Sequence, residues 1–169
     1  LAAGSLERIG EAQARLNLVG ETATVDCPDH TTALTLACRS LAEDSGAALP
    51  DLSRKLRRID AVGHRVVHGK DRFTHPTLVD AESLAAMESL AELAPLHMPP
   101  AISCIKACRD LLPAVPQVAH FDTAFHAGMP DHAAFYPVPA AWRTRFGLRR
   151  YGFHGASHEY VTRAAAAML

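Results

Sequence analysis

Apolar residues recur along this chain with two different spacings, which predict strands and helices in turn. Compact or alternating runs rich in β-branched residues predict strands at Glu21–Cys27, Ile59–Val67 and Gln117–Phe121, with a further short strand at Thr77–Val79. Stretches with apolar residues three or four positions apart predict a helix after each of the longer strands. The order of strand, helix, strand, helices, strand and helix is that of an α/β domain.

Helix boundaries are predicted from capping residues and prolines, and inward faces from helical spacing. Residues 1–19 are expected to form a short helix and turn, Gly46 to close the first long helix, 44–56 to form a polar connection, and 127–150 a loop-rich segment. The predicted starts of four helices are Asp29 or Thr31, Asp80, Pro99 with Pro100, and Ser157. The predicted inward residues are Leu84, Met87, Leu90 and Leu93 on the second helix, and Ile102, Ile105, Cys108 and Leu112 on the third.

Composition narrows the class of protein. The chain has 169 residues, of which 49% are hydrophobic but only 6% aromatic, which favours one helix-rich α/β domain over an all-β sandwich. The net charge of −1 provides no overall field that would attract nucleic acid. Among the four cysteines there is no CxxC pair, so we expect buried thiols rather than disulfides or a zinc site.

No run of about eighteen apolar residues and no leader-like segment is present, so we expect a cytoplasmic protein without membrane contact. The chain starts at Leu1 rather than at a methionine. It also stops inside the apolar run Val161–Leu169, without a residue that ends a helix. We therefore expect residues 1–169 to be a single partial domain of a longer protein.

Two charged residues lie where open α/β sheets bind ligands, near the carboxyl ends of predicted strands. Arg65 lies within a strand expected to be buried, where it needs an anionic partner. Its planar guanidinium fits a carboxylate or a phosphate, so the partner is either a ligand or an acidic residue of this chain. Val67 would supply an apolar wall on the same face. Asp122 follows a strand, where a carboxylate serves a metal ion or a substrate, or else caps the next turn.

Histidines beside glycines and prolines are further candidates. His154 lies between Gly152 and Gly155 before the last helix, where it could donate to a phosphoryl group or bond a nearby carbonyl. His97, in a proline-rich turn, has the same alternatives. A metal-dependent hydrolase is disfavoured, because His64 and His68 would lie about 13 Å apart on a strand. No HExxH segment is present either.

Four segments in this order resemble the acetokinase (acetate/propionate kinase) family. They are GHRVVHG at 63–69, LAPLHMPP at 93–100, FDTAFH at 121–126 and RRYGFHGASHEYV at 149–161. The likeness covers nearly the whole chain, and residues 1–60 are its least distinctive part. The family usually has glycine where Lys70 stands and asparagine where Met98 stands, and Ala127, Gly128 and Ala156 also depart from its commonest forms.

The resemblance implies a ribonuclease H-like domain of the acetate and sugar kinase/Hsp70/actin superfamily, present here incomplete. It also implies reversible phosphoryl transfer between ATP and acetate or a similar short carboxylate, giving ADP and acyl phosphate with Mg²⁺. Arg65 would bind the substrate carboxylate or the phosphoryl group, Asp122 would be the catalytic acid, and His154 would stabilise the transition state. Val67, Leu96 and Phe153 would line the acyl pocket, with His97 as an auxiliary residue.

The resemblance further implies that the longer protein is a homodimer, and that this chain lacks the first strand, the first phosphate loop and the second domain. The Mg²⁺ ligands would then lie mostly outside this chain, which we expect to be inactive alone. Acetate is already ionised at neutral pH, so we expect Asp122 to act through Mg²⁺ or by orienting Arg65 and water rather than as a base. The alternative to a kinase is a non-catalytic nucleotide-binding relative of the same fold.

Overall fold

The computed structural model describes residues 3–18, 21–43 and 59–169. The chain packs as two compact units, one made of Leu1–Val62 and Ile102–Gln117, the other of Gly63–Ala101 and Val118–Leu169. Both units contain strands and helices, so the predicted mixed α/β composition is confirmed. None of the helices within the described ranges has the length and apolar character needed to cross a membrane.

The first unit begins with an antiparallel sheet. Strands β1 (Gly4–Glu7), β2 (Ala14–Leu18) and β3 (Glu21–Val25) lie in that order, with Gly4 opposite Leu18 and Ala14 opposite Val25. The predicted helix over 1–19 is therefore wrong. Pairing between these consecutive strands outweighs the helix propensity of this Ala- and Leu-containing segment, because burial and ladder hydrogen bonds add more than a few tenths of a kcal/mol per residue.

Helix α1 (His30–Glu43) follows β3 and starts as predicted. The Asp29 carboxylate accepts a hydrogen bond from the Thr32 backbone N–H at 2.7 Å, which satisfies one of the free N–H groups at a helix start. Ala14, Cys27 and Ala33 form a small buried core between this helix and the sheet. Gly46 and the polar connection 44–56 lie outside the described residues.

A second sheet carries the strands that matter for the site. Its order is β4 (Val62–Val66), β6 (Gln117–Phe121) and β5 (Thr77–Leu78), with β5 antiparallel to β6. The Val62 N–H donates to the Pro116 carbonyl, and the Asp122 N–H donates to the Val66 carbonyl at 2.9 Å. From the first of these hydrogen bonds to the second, the residue numbers increase along both strands. β4 and β6 therefore run in the same direction, and their carboxyl ends meet at one edge.

Strand β4 is shorter and more exposed than expected. Val66 is fully buried, whereas Gly63 and Arg65 on the alternate face are exposed. The predicted alternation of faces is right, but the prediction of a strand buried throughout is wrong. Only one face of β4 is covered, so Arg65 does not have to be desolvated by the strand itself.

Helix α2 (Ala81–Ser89) begins with the predicted cap. The Ser83 N–H donates to the Asp80 carboxylate at 2.7 Å and the Asp80 N–H donates to the Ser83 hydroxyl at 2.8 Å, which is a reciprocal capping box. Leu84, Met87 and Leu90 are buried as predicted, but Leu93 is exposed. The α-helix ends at Ser89 and a 3₁₀ turn spans Ala91–Leu93, so helical spacing no longer applies there.

The remaining helices are α3 (Met98–Leu111), α4 (Asp131–Ala134), α5 (Ala140–Phe146) and α6 (Gly155–Ala166), with a 3₁₀ turn at Ala124–His126 after β6. The inward residues predicted for α3 and just beyond it are all buried. Two corrections follow: the segment 127–150 contains two short helices, and α6 begins at Gly155, two residues before the predicted cap Ser157. The start of α6 is set by a backbone hydrogen bond from the Gly155 N–H to the Asp122 carbonyl at 2.9 Å, which no local cap signal reveals.

Candidate active site

Arg65, Asp122 and His154 come together at the carboxyl edge of β4 and β6. The Arg65 guanidinium donates two parallel hydrogen bonds to the Asp122 carboxylate, Nε to Oδ1 at 2.9 Å and Nη2 to Oδ2 at 2.8 Å. Nη2 of the same guanidinium lies 2.8 Å from His154 Nδ1. Asp122 and His154 lie 57 and 89 positions after Arg65 in the sequence, and the fold brings both side chains into contact with it.

Asp122 is the buried member of the group. Its side chain is only 2% exposed, and its backbone N–H is bonded to Val66 of the neighbouring strand. Burial alone would raise the pKa of the Asp122 carboxyl. The hydrogen bonds and charge of Arg65, together with the backbone N–H of His154, outweigh that effect, so the pKa lies below its ordinary value. Asp122 is therefore an anion at neutral pH, with both oxygens committed to Arg65.

Arg65 and His154 are the accessible members. Their side chains are 61% and 70% exposed. The charge and hydrogen bonds of Asp122 raise the pKa of Arg65 above its already high value, so the guanidinium remains protonated. Its planar head is held by two bonds on one edge, which leaves the Nη1 edge without a hydrogen bond to any described residue.

The tautomer of His154 follows from its neighbour. The guanidinium nitrogen Nη2 always carries hydrogen, so at 2.8 Å the Nδ1 atom of His154 must accept, and the proton of the neutral ring lies on Nε2. With Nδ1 accepting from Arg65, its 3.9 Å approach to Asp122 Oδ2 is too long for a hydrogen bond. His154 Nε2–H and Arg65 Nη1–H then remain as donors on two side chains that contact each other, and neither donates to a described residue. That arrangement suits an oxyanion such as a carboxylate or phosphoryl group.

The backbone at His154 has an unusual conformation. Its φ of 54° and ψ of 33° lie in the left-handed region, which residues other than glycine rarely adopt. Gly155 follows at a point with no room for a side chain: a Cβ there would lie 3.0 Å from Phe125 Cβ and closer still to the Asp122 carbonyl oxygen. The turn from loop to helix therefore packs directly on the backbone of Asp122.

The other predicted site residues are placed less tightly. Val67 is half-buried directly after β4, and Phe153, 40% exposed, precedes His154 with its ring 5.6 Å from that of His68. Leu96 is 84% exposed and His97 is exposed in the turn before α3. Across the described ranges, no hydrogen bond or ion pair joins His97 to Arg65, Asp122 or His154.

Sequence reasoning missed two buried supports of the site. His68 is 5% exposed, accepts a hydrogen bond from the Lys70 N–H at 3.0 Å and packs on the Tyr151 ring. Burial, with the charge of Lys70, lowers the pKa of His68 below its ordinary value. Thr123, next to Asp122, accepts from the Gly69 N–H at 2.9 Å and ties the 69–73 loop to the end of β6. Both residues lie inside the segments that resemble the acetokinase family, and that position was the only signal in the sequence that could have identified them.

A comparison with known protein families gives a match over residues 1–169 to the acetokinase family. The chain belongs to this family. Curated relatives include the acetate kinases of Geobacter metallireducens, 49% identical over 144 residues, and Thermotoga maritima, 46% identical over 173 residues. These alignments cover 85% and 100% of this chain, but only 33% and 42% of the two relatives.

Solved structures of the acetokinase family have the same fold. The chain superposes on the crystal structures of Porphyromonas gingivalis acetate kinase with a TM-score of 0.88 at 38% identity, and of a propionate kinase from Francisella tularensis with 0.86 at 33% identity. Each match covers 99% of this chain and 42% of the solved chain. The predicted fold class, that of the acetate and sugar kinase/Hsp70/actin superfamily, is confirmed.

Proposed function

We propose that the longer protein to which this chain corresponds catalyses the reversible ATP-dependent phosphorylation of acetate, or of a similar short carboxylate, to an acyl phosphate. Membership of the acetokinase family supports the class of reaction. The observation that carries the proposal is the Arg65 guanidinium, fixed on one side by Asp122 and bonded to His154, with N–H donors left for an oxyanion. Because the chain spans about two-fifths of its relatives or less, the activity is assigned to the longer protein.

The chemistry needs positioned positive charge more than covalent help. A carboxylate oxygen attacks the γ-phosphorus, the bond from that phosphorus to the ADP oxygen breaks, and no proton has to move. Arg65 would hold the carboxylate or the transferred phosphoryl group, and His154 Nε2–H would donate to an equatorial oxygen as charge develops there. When bound, Mg²⁺ would supply further neutralisation of the phosphate oxygens.

Asp122 is proposed to act by orienting Arg65. Both its oxygens accept from the guanidinium and its side chain is only 2% exposed, so a Mg²⁺ ion has little access to it in this arrangement. In Asp122→Asn the amide can accept only one of the two bonds, so we expect kcat to fall without a new pH-dependent step. Unchanged Mg²⁺ affinity together with the loss of only a pH-dependent step would instead identify Asp122 as an acid.

The apolar residues define the acyl specificity in this proposal. Val67, Leu96 and Phe153 would line the pocket for the short acyl chain, with His97 as an auxiliary residue. The exposure of Leu96 and Phe153 leaves them accessible to a small apolar group. Enlarging the pocket with Val67→Ala is expected to shift kcat/KM from acetate toward propionate by about 10-fold, the scale of one methylene group.

The remaining features of the proposal follow from family membership. ATP/ADP and Mg²⁺ would be the cofactors, and acetate or propionate and the acyl phosphate the small-molecule partners, with no nucleic acid or membrane involved. The longer protein would be a cytoplasmic homodimer. Residues 1–169 would form part of one domain and would not turn over alone, since the adenosine half of the site would lie outside them.

The test is a hydroxamate assay of the full-length protein with ATP, Mg²⁺ and a series of short carboxylates. Acyl phosphate formed in the reaction is trapped by hydroxylamine, and the preferred acid is read from kcat/KM. No acyl hydroxamate with any short acid would reject the kinase. ATP binding without turnover would identify the non-catalytic nucleotide-binding relative.

A further inference from the structure

His126 contacts the segment that carries His154 but is not itself part of the proposed chemistry. It ends the 3₁₀ turn Ala124–His126 that follows Asp122, and its side chain is half-buried. Its Nε2 lies 3.0 Å from the Phe153 carbonyl oxygen. A carbonyl can only accept, so Nε2 carries the proton and donates. His126 thus holds the carbonyl side of the peptide group that immediately precedes His154, while the N–H side of the same group bonds to the Asp122 carboxylate.

The peptide group on the other side of His154 is held as well. The Gly155 N–H donates to the Asp122 carbonyl at 2.9 Å. The φ and ψ angles of His154 are the rotations between these two peptide groups, so anchoring both of them sets its backbone conformation. This matters because a left-handed backbone is strained for a non-glycine residue and persists only where its surroundings impose it.

Packing around the His126 ring reinforces the same segment. A Cβ on Gly152 would overlap the imidazole atoms of His126, so the chain two residues before His154 passes directly over the ring. On the helix side, the His126 and His158 rings meet edge to face with centroids 5.4 Å apart. His126 therefore touches the chain both before and after His154.

We propose that His126 is a positioning residue, which holds the Phe153 carbonyl so that His154 keeps its left-handed backbone and its ring meets Arg65. The catalytic consequence rests on the proposed function. His126 touches no reacting atom in this scheme. Its effect reaches the reaction only through the place of the His154 ring, 2.8 Å from Arg65.

Three variants of the full-length protein test the activity side. His126→Ala removes both the hydrogen bond and the ring, and we expect kcat to fall about 100-fold, the scale of a 1 Å misplacement, with KM for the carboxylate changed much less. His126→Gln keeps an N–H donor in reach of Phe153 and should retain most of the activity. His132→Ala is the control, since His132 is an exposed histidine on α4 and should leave kcat unchanged.

A double variant separates positioning from general stabilisation. If His126 acts through His154, then His126→Ala should cost no further kcat in a His154→Ala background, because the group it positions is already gone. An equal loss in both backgrounds would overturn the proposal. So would an unchanged kcat in His126→Ala.

A crystal structure of His126→Ala tests the geometry without reference to any activity. We expect the His154 backbone to leave the left-handed region and its ring to leave Arg65. A φ that remains near 54° with the 2.8 Å contact intact would overturn the proposal, whatever the enzyme assay gives. If His126→Ala does not fold, the same measurement on His126→Gln, which loses the ring but keeps the donor, replaces it: an unchanged His154 backbone supports the proposed hydrogen bond, and a displaced one overturns it. Absence of any kinase activity in the wild type would reject the proposed function but leave this structural test in force.

Discussion

Replacing Gly155 by alanine adds one methyl group at a tightly packed point of the proposed site. Its Cβ would lie 3.0 Å from Phe125 Cβ and 3.2 Å from the Asp122 carbonyl carbon, and closer still to the attached oxygen. The oxygen belongs to backbone at the end of β6 and cannot turn aside as a flexible side chain could. The start of α6 must therefore move away from Asp122.

The size of that movement can be worked from ordinary contact distances. Restoring van der Waals contact to the oxygen needs a shift of about 1 Å at Gly155. Such a shift stretches the 2.9 Å hydrogen bond from Gly155 to Asp122 and moves His154 relative to Arg65. Overpacking of this kind costs about 1–3 kcal/mol of folding free energy. Displacement of a group by about 1 Å in an active site costs about 100-fold in rate.

The assay is acyl hydroxamate formation by the full-length Gly155→Ala protein, with the thermal midpoint measured in parallel. We expect kcat to fall about 100-fold and the midpoint to fall by a few degrees. Gly128→Ala is the control, because a Cβ at Gly128 meets no atom within 4 Å and its backbone is not left-handed. That variant should match the wild type in both measurements.

A Gly155→Ala protein with kcat within about 3-fold of the wild type would refute the reasoning, since positional errors of 1 Å should cost far more. A fall in thermal midpoint with full activity would show that the helix start can move without disturbing His154. A loss of activity in the Gly128→Ala control as well would show that the effect is not specific to contact with Asp122.

Three further substitutions test other contacts of the same unit. Arg65→Gln should lower the free energy of unfolding at pH 7 by about 2–3 kcal/mol by leaving the Asp122 carboxylate buried without a cation. The pKa of Asp122 is depressed in the folded wild type, so the stability that its ion pair contributes is present above pH about 4. That contribution is lost as the pH falls through the folded pKa. Urea titrations should therefore show that the difference in unfolding free energy between the wild type and Arg65→Gln shrinks on acidification. Lys70→Gly should raise the free energy of unfolding by about 0.5–1 kcal/mol, since Lys70 has a φ of 52°, and thermal unfolding should detect it. Asp80→Ala should lower the free energy of unfolding through loss of the cap on α2, as measured by urea denaturation.

Each of these has its own control. In an Asp122→Asn background, Arg65→Gln should show no pH-dependent gap; a gap that persists there would assign the effect to another group. Lys70→Ala keeps the left-handed backbone and should not gain stability, so equal gains in both variants would mean that charge, not conformation, is responsible. Asp80→Asn retains an acceptor for the Ser83 N–H, and a loss as large as in Asp80→Ala would contradict the capping explanation.

The elements that were predictable from sequence are those with local causes. The caps at Asp29 and Asp80 and the strand Gln117–Phe121 are encoded within a few residues each, and the structure has all three. The strand Glu21–Val25 was also predicted, but its partners β1 and β2 were not, because residues 1–19 have a composition that suits a helix and become strands only by pairing. The start of α6 was missed because its anchor, the Asp122 carbonyl, lies 33 positions earlier in the chain.

The candidate site, like the fold, was predictable from the sequence only in part. Motif order singled out Arg65, Asp122 and His154, but no spacing could tell whether Arg65 would meet a ligand or an acidic residue of the chain. The structure pairs it with Asp122 while leaving one edge of the guanidinium open, so the two alternatives are compatible. The left-handed conformation of His154 and the contacts of His126 depend on packing between segments and leave no trace in local sequence.

The way in which α6 begins has a consequence for how this site could diversify. Most helices rely on a serine, threonine, aspartate or asparagine side chain at the residue before the first turn, whereas His154 occupies that residue and provides no side-chain cap. Since the anchor is a backbone bond to Asp122, mutation at 154 does not have to preserve a capping group. Different residues can therefore occupy position 154 without loss of the helix start, and selection there can act on the chemical reactivity of the side chain. The constraint that remains is the left-handed backbone, which favours glycine, asparagine and aspartate as evolutionary alternatives to histidine.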